Sequence, residues 1–143
     1  MNKGKALGTL LYYLSWPLIW FYGPLNIRVR VIIKCNSEIL LVKNWFGPSS
    51  MQLPGGGKKF SEKPLDTAVR EVKEELDIDI SNNSKLLNED VSIVKSNGIL
   101  YRYYYVISEF SKKPKITPSK EIASCFWVDN NSKEIPKSVR SYL

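Results

Sequence analysis

The chain has 143 residues, a length that suits one compact domain with its own hydrophobic core. Hydrophobic residues make up 43% and charged residues 24% of the sequence, which is ordinary for a globular protein and excludes wholesale disorder. The formal net charge of +7 indicates acidic partners, such as phosphorylated small molecules, nucleic acid or an anionic membrane, or a surface that is basic for solubility alone.

The sequence contains no histidine, which excludes Ser-His-Asp and Cys-His catalytic machinery and zinc sites that need imidazole. Its two cysteines, Cys35 and Cys125, lie far apart, and neither belongs to a CxxC pair. Each lies in an apolar, strand-like run, where a buried and inert thiol is the usual state. This cysteine usage fits a reducing compartment, so we expect a cytoplasmic protein, either free or associated with a membrane.

The N-terminal segment, residues 1–25, is predicted to be an apolar helical unit that precedes a domain at residues 26–143. No residue between Ala6 and Ile27 is charged, and about 20 apolar residues are enough to cross a bilayer. The segment is rich in tryptophan and tyrosine, residues that suit a membrane interface and suit a subunit contact equally well.

Two breaks argue against a simple membrane crossing by this segment. Pro17 interrupts any helix, and Gly23-Pro24 ends it. Three uses of residues 6–23 therefore stay open: packing on the domain or on a partner subunit in a homodimer, peripheral contact with a membrane, and a spanning or signal anchor.

Strands and one long helix follow in chain order. Apolar runs bounded by turn residues predict the strands, of which the first two form a hairpin. Apolar residues at helical spacing predict a helix over Pro64–Leu76, with Pro64 in its first turn and Lys63 as a poor cap. The last residues, Ser132–Leu143, predict a short terminal helix. The predicted strands are Ile27–Lys34, Glu38–Lys43, Met51–Leu53, Val91–Lys95, Leu100–Ile107 and Ile122–Val128.

This order of elements predicts an α+β fold, a mixed β-sheet flanked by helices. Several of its side chains are candidate ligand contacts. Arg28 and Arg30 share one face of the first strand and either meet phosphate or form a solvated edge. Trp45 and Phe46 precede the glycines and are candidates for stacking on a base. Tyr101, Tyr103 and Tyr105 share a strand face, where sheet packing is the commoner role.

The predicted helix carries three carboxylates on one face. Glu71, Glu74 and Glu75 are three and four positions apart, so at 3.6 residues per turn they project together. Like charges at this spacing repel. Cations relieve that repulsion, and Mg²⁺ or Mn²⁺ is the natural choice for oxygen ligands. The alternative is a solvated acidic face that has no ligand.

A glycine-rich loop precedes this helix. Glycines let the backbone approach a ligand closely, and a free carbonyl there can complete the coordination of a metal. Lys58 and Lys59 follow the glycines at once and are candidates for contacts with phosphate oxygens.

The residues from Gly56 to Ile78 resemble the Nudix box. Gly56 is followed by five residues and Glu62, then by seven residues and Arg70-Glu71, and then by an apolar residue, any residue and Glu74-Glu75. The departure is Asp77, where the family usually has glycine in a left-handed helix ending. Aspartate tolerates that conformation better than most residues, so we expect a modest stability cost and no loss of chemistry.

The resemblance implies a Nudix-type α/β/α sandwich and roles for named residues. Glu71, Glu74 and Glu75 would hold Mg²⁺, or Mn²⁺, with help from the Gly56 carbonyl. Glu62 and Arg70 would pin the loop to the helix through a charge-assisted contact. Glu121, which precedes the last strand, is a candidate for an extra ligand or base, against the alternative of an ordinary exposed acid.

The resemblance also implies the activity, which is metal-dependent hydrolysis of a pyrophosphate bond in a nucleoside diphosphate-linked substrate. Residues downstream of the box that mark some substrate classes are absent: Ile93 stands where ADP-ribose enzymes carry proline. This favours a nucleoside triphosphate or a related diphosphate. Two alternatives are a membrane-docked diphosphatase acting on a lipid-linked diphosphate and a non-catalytic nucleotide- or nucleic-acid-binding module. The full acidic set argues against a module that only binds, and nucleic acid is the less favoured partner.

Overall fold

The computed structural model of the protein describes residues 27–45, 50–96 and 99–143, and for residues 94–96 and 99 it describes the backbone alone. The predictions for the N-terminal segment and for Phe46 lie outside these residues. Among the described residues, no helix is both long and apolar enough to span a bilayer.

Six strands and one α-helix form the described fold. The helix, α1, covers Pro64–Leu76 as predicted, and a 3₁₀ helix at Lys137–Tyr142 forms the predicted terminal helix. The prediction of a short strand at Met51–Leu53 was wrong, because that stretch makes only an isolated bridge between Gln52 and Val42. The strands are β1 (Ile27–Cys35), β2 (Glu38–Asn44), β3 (Ser84–Leu86), β4 (Ser92–Ser96), β5 (Ile99–Phe110) and β6 (Ile122–Asp129).

The strands form one mixed sheet in the order β3-β5-β1-β2-β6, and β4 pairs with β5 beside this path. β1 and β5 run parallel, in a register that places Arg28 opposite Tyr103, and the other pairs are antiparallel. Two apolar cores cover the two faces of the sheet. One packs Ala68, Val72 and Leu76 of α1 on the strands. The other places residues of the C-terminal turn and 3₁₀ helix, Ile135 and Val139, on the opposite face.

The β1–β2 hairpin splays open soon after its turn, and this opening positions the glycine-rich loop. The two strands pair only at Lys34–Ile39 and Cys35–Glu38. Further along, β1 bonds to the loop instead: the Val31 amide donates to the Pro54 carbonyl, and the Val29 amide donates to the Gly56 carbonyl, both at 2.9 Å. The loop therefore fills the gap between the two strands, and backbone hydrogen bonds to β1 hold it there.

Candidate active site

Helix α1 brings the predicted acidic residues to the glycine-rich loop. Lys63, the residue before the helix, makes no side-chain capping bond, and Pro64 fills the first turn. The helix ends at Asp77, whose backbone is left-handed with φ 57° and ψ 31°, the conformation in which the family usually has glycine. Ala68, Val72 and Leu76 anchor the helix in the core. This anchoring holds Glu71 and Glu75 against the glycine-rich loop.

Glu75 is half-buried and lies against the glycine-rich loop. Its Oε2 accepts a hydrogen bond of 2.9 Å from the Gly55 backbone amide. The pKa of Glu75 is raised to about 7, chiefly by burial and in smaller part by the charges of Glu71 and Glu121, while the Gly55 amide and Arg30 act in the opposite direction. Burial therefore disfavours the ionised form of this carboxylate near neutral pH.

Glu71 lies directly against Gly56. A Cβ built on Gly56 would meet the two carboxylate oxygens of Glu71 at 2.4 and 2.7 Å, closer than real Cβ contacts come. Only glycine leaves room for the carboxylate at this position. The loop and the helix thus meet at two successive glycines, Gly55 under Glu75 and Gly56 under Glu71.

Arg70 connects the loop to the acidic face of the helix. Its guanidinium donates to Glu62 at 2.7 and 2.9 Å and to the Gly57 carbonyl at 3.1 Å, which is the contact expected for the loop pin. It also donates to Glu71 at 2.6 Å and to Glu74 at 3.2 Å. These bonds raise the pKa of Arg70 and lower that of Glu62 to about 2. One guanidinium therefore neutralises several carboxylates.

The donor chemistry of this cluster fits a divalent cation of the hard, oxygen-preferring kind. Within the described part of the chain, no three acidic, histidine or cysteine side chains are already gathered as a ready metal site. In this structure Arg70 holds Glu71 and Glu74 in ion pairs. Glu75 makes no ion pair within 4.0 Å among the described residues, and its raised pKa marks a place where added positive charge would be favourable.

The carbonyls of the glycine loop are already engaged by protein donors. Gly56, the predicted backbone ligand, accepts from the Val29 amide at 2.9 Å, and Gly55 accepts from the Arg30 side chain at 2.9 Å. A carbonyl oxygen has two lone pairs, so each keeps one for a further partner. The role predicted for Gly56 stays a prediction.

Arg30 supports the loop from the opposite face of the sheet. Its guanidinium donates to the Leu53 and Gly55 carbonyls at 3.0 and 2.9 Å and to the Gln52 side chain at 3.2 Å, and it lies 5.8 Å from the centre of the Tyr103 ring. Burial lowers the pKa of Arg30. These contacts describe a structural role, and the predicted contact with substrate stays a prediction.

The other predicted substrate contacts lie around the opening of the hairpin. Arg28 lies 6.0 Å from the centre of the Tyr101 ring. Lys58 is half-buried and Lys59 is exposed, and the Lys58 amide donates to the Ile27 carbonyl at 2.9 Å. Trp45 is 68% exposed, which leaves its ring available to a ligand. Among the described residues, none of these side chains makes a hydrogen bond or ion pair with the acidic face of α1.

Glu121 is near enough to Glu75 for its charge to contribute to the raised pKa of that carboxylate. The side chain is exposed. Its backbone carbonyl accepts from the Trp45 amide at 3.0 Å, and the preceding loop is tied to the helix through the Ser119 amide, which donates to the Glu75 carbonyl at 2.8 Å. This position is compatible with the predicted role of an additional ligand or base.

One residue of the site, and one residue on β2 opposite Ile122, escape sequence reasoning. Gly55 has φ +122°, and its missing Cβ would lie 2.3 Å from the Val29 carbonyl oxygen. Its place beside the box glycine was the available signal. Asn44 lies at an irregularity in the β2–β6 pairing, and its side-chain oxygen is buried without a hydrogen-bond partner among the described residues. A single asparagine at a strand end gives no signal of this kind in sequence.

The chain matches a known domain family and has the fold of known proteins. The family model described as NUDIX domain matches residues 24–138. Comparison with curated proteins gives no significant match. Among solved structures, a MutT NUDIX hydrolase from Burkholderia pseudomallei superposes with a TM-score of 0.65 at 21% identity, over 81% of this chain and 93% of that one.

Two further structures are similar in fold but longer. A MutT/nudix family protein from Enterococcus faecalis has a TM-score of 0.64 at 18% identity, over 73% of this chain and 43% of that one. A bifunctional NMN adenylyltransferase/ADP ribose pyrophosphatase from Francisella tularensis, complexed with AMP and a Mn ion, has a TM-score of 0.64 at 19% identity, over 85% of this chain and 39% of that one. The chain thus spans less than half the length of these two proteins. At these identities the likeness shows the fold.

Proposed function

This chain belongs to the Nudix hydrolase family, which acts on nucleoside diphosphate derivatives, and from that premise we propose that it cleaves a pyrophosphate bond in a nucleotide-like substrate. The cleavage depends on Mg²⁺, with Mn²⁺ as the alternative. The preferred substrate is a nucleoside triphosphate or a related nucleoside diphosphate derivative.

The observation that supports this proposal is the contact between the acidic face of α1 and two successive glycines. The Gly55 amide orients the Glu75 carboxylate at 2.9 Å, and Gly56 leaves the space that Glu71 occupies. A solvated acidic helix face does not need this arrangement. Burial raises the pKa of the Glu75 carboxyl to about 7, so its ionised form is destabilised. A bound cation would relieve this destabilisation.

Glu71, Glu74 and Glu75 would hold the cation, with the Gly56 carbonyl as an additional donor. A bound Mg²⁺ would polarise a phosphate group and lower the pKa of a water molecule. The Arg70 guanidinium competes for Glu71 and Glu74 in the ion pairs described above. Its stronger set of contacts is with Glu62, at 2.7 and 2.9 Å, so Arg70 keeps the loop in place when the other two carboxylates bind the cation.

The chain's own residues supply position and charge. Arg30 and the β1 amides fix the loop carbonyls, and α1 fixes the carboxylates, so little reorganisation is needed when substrate binds. Lys58 and Lys59 follow the glycines and are proposed to meet phosphate oxygens. Trp45, which is exposed, is proposed to stack on the base. Glu121 is proposed as an extra ligand or base.

A substrate panel tests the proposal. Release of phosphate or pyrophosphate is measured for nucleoside triphosphates, ADP-ribose, nucleotide sugars, dinucleoside polyphosphates and lipid diphosphates, each with Mg²⁺, with Mn²⁺ and with EDTA. The variant Glu74→Gln removes one carboxylate charge from an exposed position whose described polar contact is with Arg70, at 3.2 Å. Glu134→Gln makes the same change near the C-terminus, far from α1 in sequence, and serves as the matched control.

We expect turnover of at least one nucleotide with metal, no turnover with EDTA, and a fall of about a hundredfold in Glu74→Gln but not in Glu134→Gln. The best substrate then identifies the substrate class. Turnover of a lipid diphosphate alone would contradict the nucleotide assignment, and binding of nucleotides without turnover of any of them would contradict hydrolysis.

A further inference from the structure

The turn between the glycine-rich loop and α1 presents an aromatic ring to solvent. The Glu62 amide donates to the Lys59 carbonyl at 3.1 Å, which closes a tight turn with Phe60 and Ser61 at its tip. Phe60 is fully exposed, more so than any other large apolar residue in the described part of the chain. Single exposed apolar residues are common, so exposure alone carries no conclusion.

The base of this turn is held rigidly. The Glu62 carboxylate points inward and accepts from the Lys59 amide at 3.1 Å, from the Thr67 hydroxyl at 2.9 Å and from Arg70. These bonds order the backbone on both sides of Phe60. A ring presented from an ordered backbone is available to a partner surface at a lower cost in conformational entropy than a ring on a mobile loop.

Basic side chains surround the ring. Lys59 and Lys63 are exposed and flank Phe60 within the same turn. Lys58 precedes this turn, and Arg28 lies opposite the start of the same loop, since the backbones of Arg28 and Gly57 form a bridge. None of these four cations makes an ion pair with a carboxylate of the described residues, so their charge is free to act on a partner.

The uncharged N-terminal segment enters the domain at this same place. The Ile27 carbonyl, at the end of the uncharged stretch that begins at Ala6, accepts from the Lys58 amide at 2.9 Å. Residues 6–23 are thus tethered by a few residues to the edge that carries Phe60 and its lysines. An apolar segment, a projecting ring and unpaired cations on one edge match an anionic bilayer, which has an apolar interior and a negative surface.

We propose that residues 58–63, the Phe60 turn, dock the protein on an anionic membrane, with the Phe60 ring inserted at the interface and Lys59 and Lys63 on lipid headgroups. The apolar ring and the cluster of cations are two signals, which together give stable attachment where one gives only marginal binding. This docking goes beyond hydrolysis and does not depend on it, because it needs neither the metal nor turnover.

Flotation of the full-length chain with lipid vesicles tests the proposal. Vesicles of phosphatidylcholine alone are compared with vesicles that contain phosphatidylserine. The variants are Phe60→Ser, Phe60→Trp and the double charge reversal Lys59→Glu/Lys63→Glu. The control is Lys85→Glu/Lys112→Glu, which makes the same change in charge at exposed positions on β3 and just after β5. All of these side chains are exposed, so folding is expected to be unaffected and is checked by thermal unfolding.

We expect binding to phosphatidylserine vesicles that weakens with salt. Phe60→Ser should lower the partition coefficient at least fivefold, the lysine double variant at least tenfold, and Phe60→Trp and the control pair should bind like the wild type. Three results would overturn the proposal: no binding to either vesicle, equal binding of the wild type and both turn variants, or a dimer whose formation depends on Phe60 in place of vesicle binding.

Discussion

The Gly55 amide and the Glu75 carboxylate lie 2.9 Å apart, although twenty positions separate them in the chain. The bond joins the loop that fills the open β1–β2 hairpin to the last turn of α1. It fixes the direction of a carboxylate that is proposed to hold the metal. The loop, the helix and the candidate chemistry are therefore one structural unit, and changes to the loop should affect both stability and activity.

Gly55→Ala tests the backbone requirement. The residue has φ +122°, and a Cβ would lie 2.3 Å from the Val29 carbonyl oxygen, so both strain and overlap oppose the substitution. We expect a loss of about 2 to 4 kcal/mol in the free energy of unfolding, measured by urea denaturation. Gly57→Ala is the control, because its Cβ meets nothing within 4 Å, and it should cost less than about 1 kcal/mol. Equal effects of the two variants would refute this account.

Gly56→Ala separates activity from stability. Its Cβ would overlap the Glu71 carboxylate, which is the far end of a flexible side chain and can move away. We expect an unfolding free energy within about 1 kcal/mol of the wild type but a displaced Glu71. The measurement is the Mg²⁺ concentration that gives half-maximal activity, which should rise about tenfold or more. An unchanged metal dependence would mean that Glu71 does not bind the cation.

Arg30→Lys distinguishes a loop support from a substrate contact. Lysine cannot reproduce the three donor contacts to Leu53, Gly55 and Gln52. We expect a loss of about 2 kcal/mol in unfolding free energy together with a fall in kcat. Arg28→Lys, whose described contact is with one ring, should lose less than about 0.5 kcal/mol. A rise in KM with unchanged stability in Arg30→Lys would instead favour direct contact with substrate.

Glu62 should make the stability depend on acid pH. Its pKa falls from 4.5 to about 2, chiefly through the Arg70 hydrogen bonds. Between those two values the unfolded chain binds the proton and the folded chain does not, so stability rises with pH there. The contribution is complete above about pH 4.5 and is lost as pH falls toward 2. In denaturation at a series of pH values, the stability gap between the wild type and Glu62→Gln should narrow below pH 4.5; a constant gap would contradict this.

Local patterns predicted much of the fold. The helix over Pro64–Leu76 follows from apolar spacing, and the bounds of five predicted strands agree within three residues because apolar runs and turns are local signals. The short strand β3 at Ser84–Leu86 was not predicted. The parallel pairing of β1 with β5 is different, since it joins segments far apart in the chain, and no local signal specifies it. A terminal helix was predicted, but its 3₁₀ geometry was not. The pairing of Met51–Leu53 through a single bridge at Gln52 likewise depends on the surrounding packing.

The candidate site, like the fold, was predictable from the sequence only in part. The box motif identified Glu62, Arg70 and the three glutamates, and the structure joins Glu62 to Arg70 at 2.7 Å. Sequence alone did not show that Arg30 would turn toward the loop carbonyls, because a basic residue on a strand face is equally compatible with solvent or phosphate. It also could not show the raised pKa of Glu75, which arises from burial by the folded chain.

The most direct test of the central claim is hydrolysis of the best nucleotide substrate by the wild type and by Glu75→Gln during a Mg²⁺ titration. Glutamine keeps an oxygen that can accept from the Gly55 amide, so the fold should persist while the charge is lost. The account predicts saturable activation of the wild type by Mg²⁺ and a fall of about a hundredfold or more in Glu75→Gln. Hydrolysis that persists in EDTA, or that Glu75→Gln leaves intact, would contradict it.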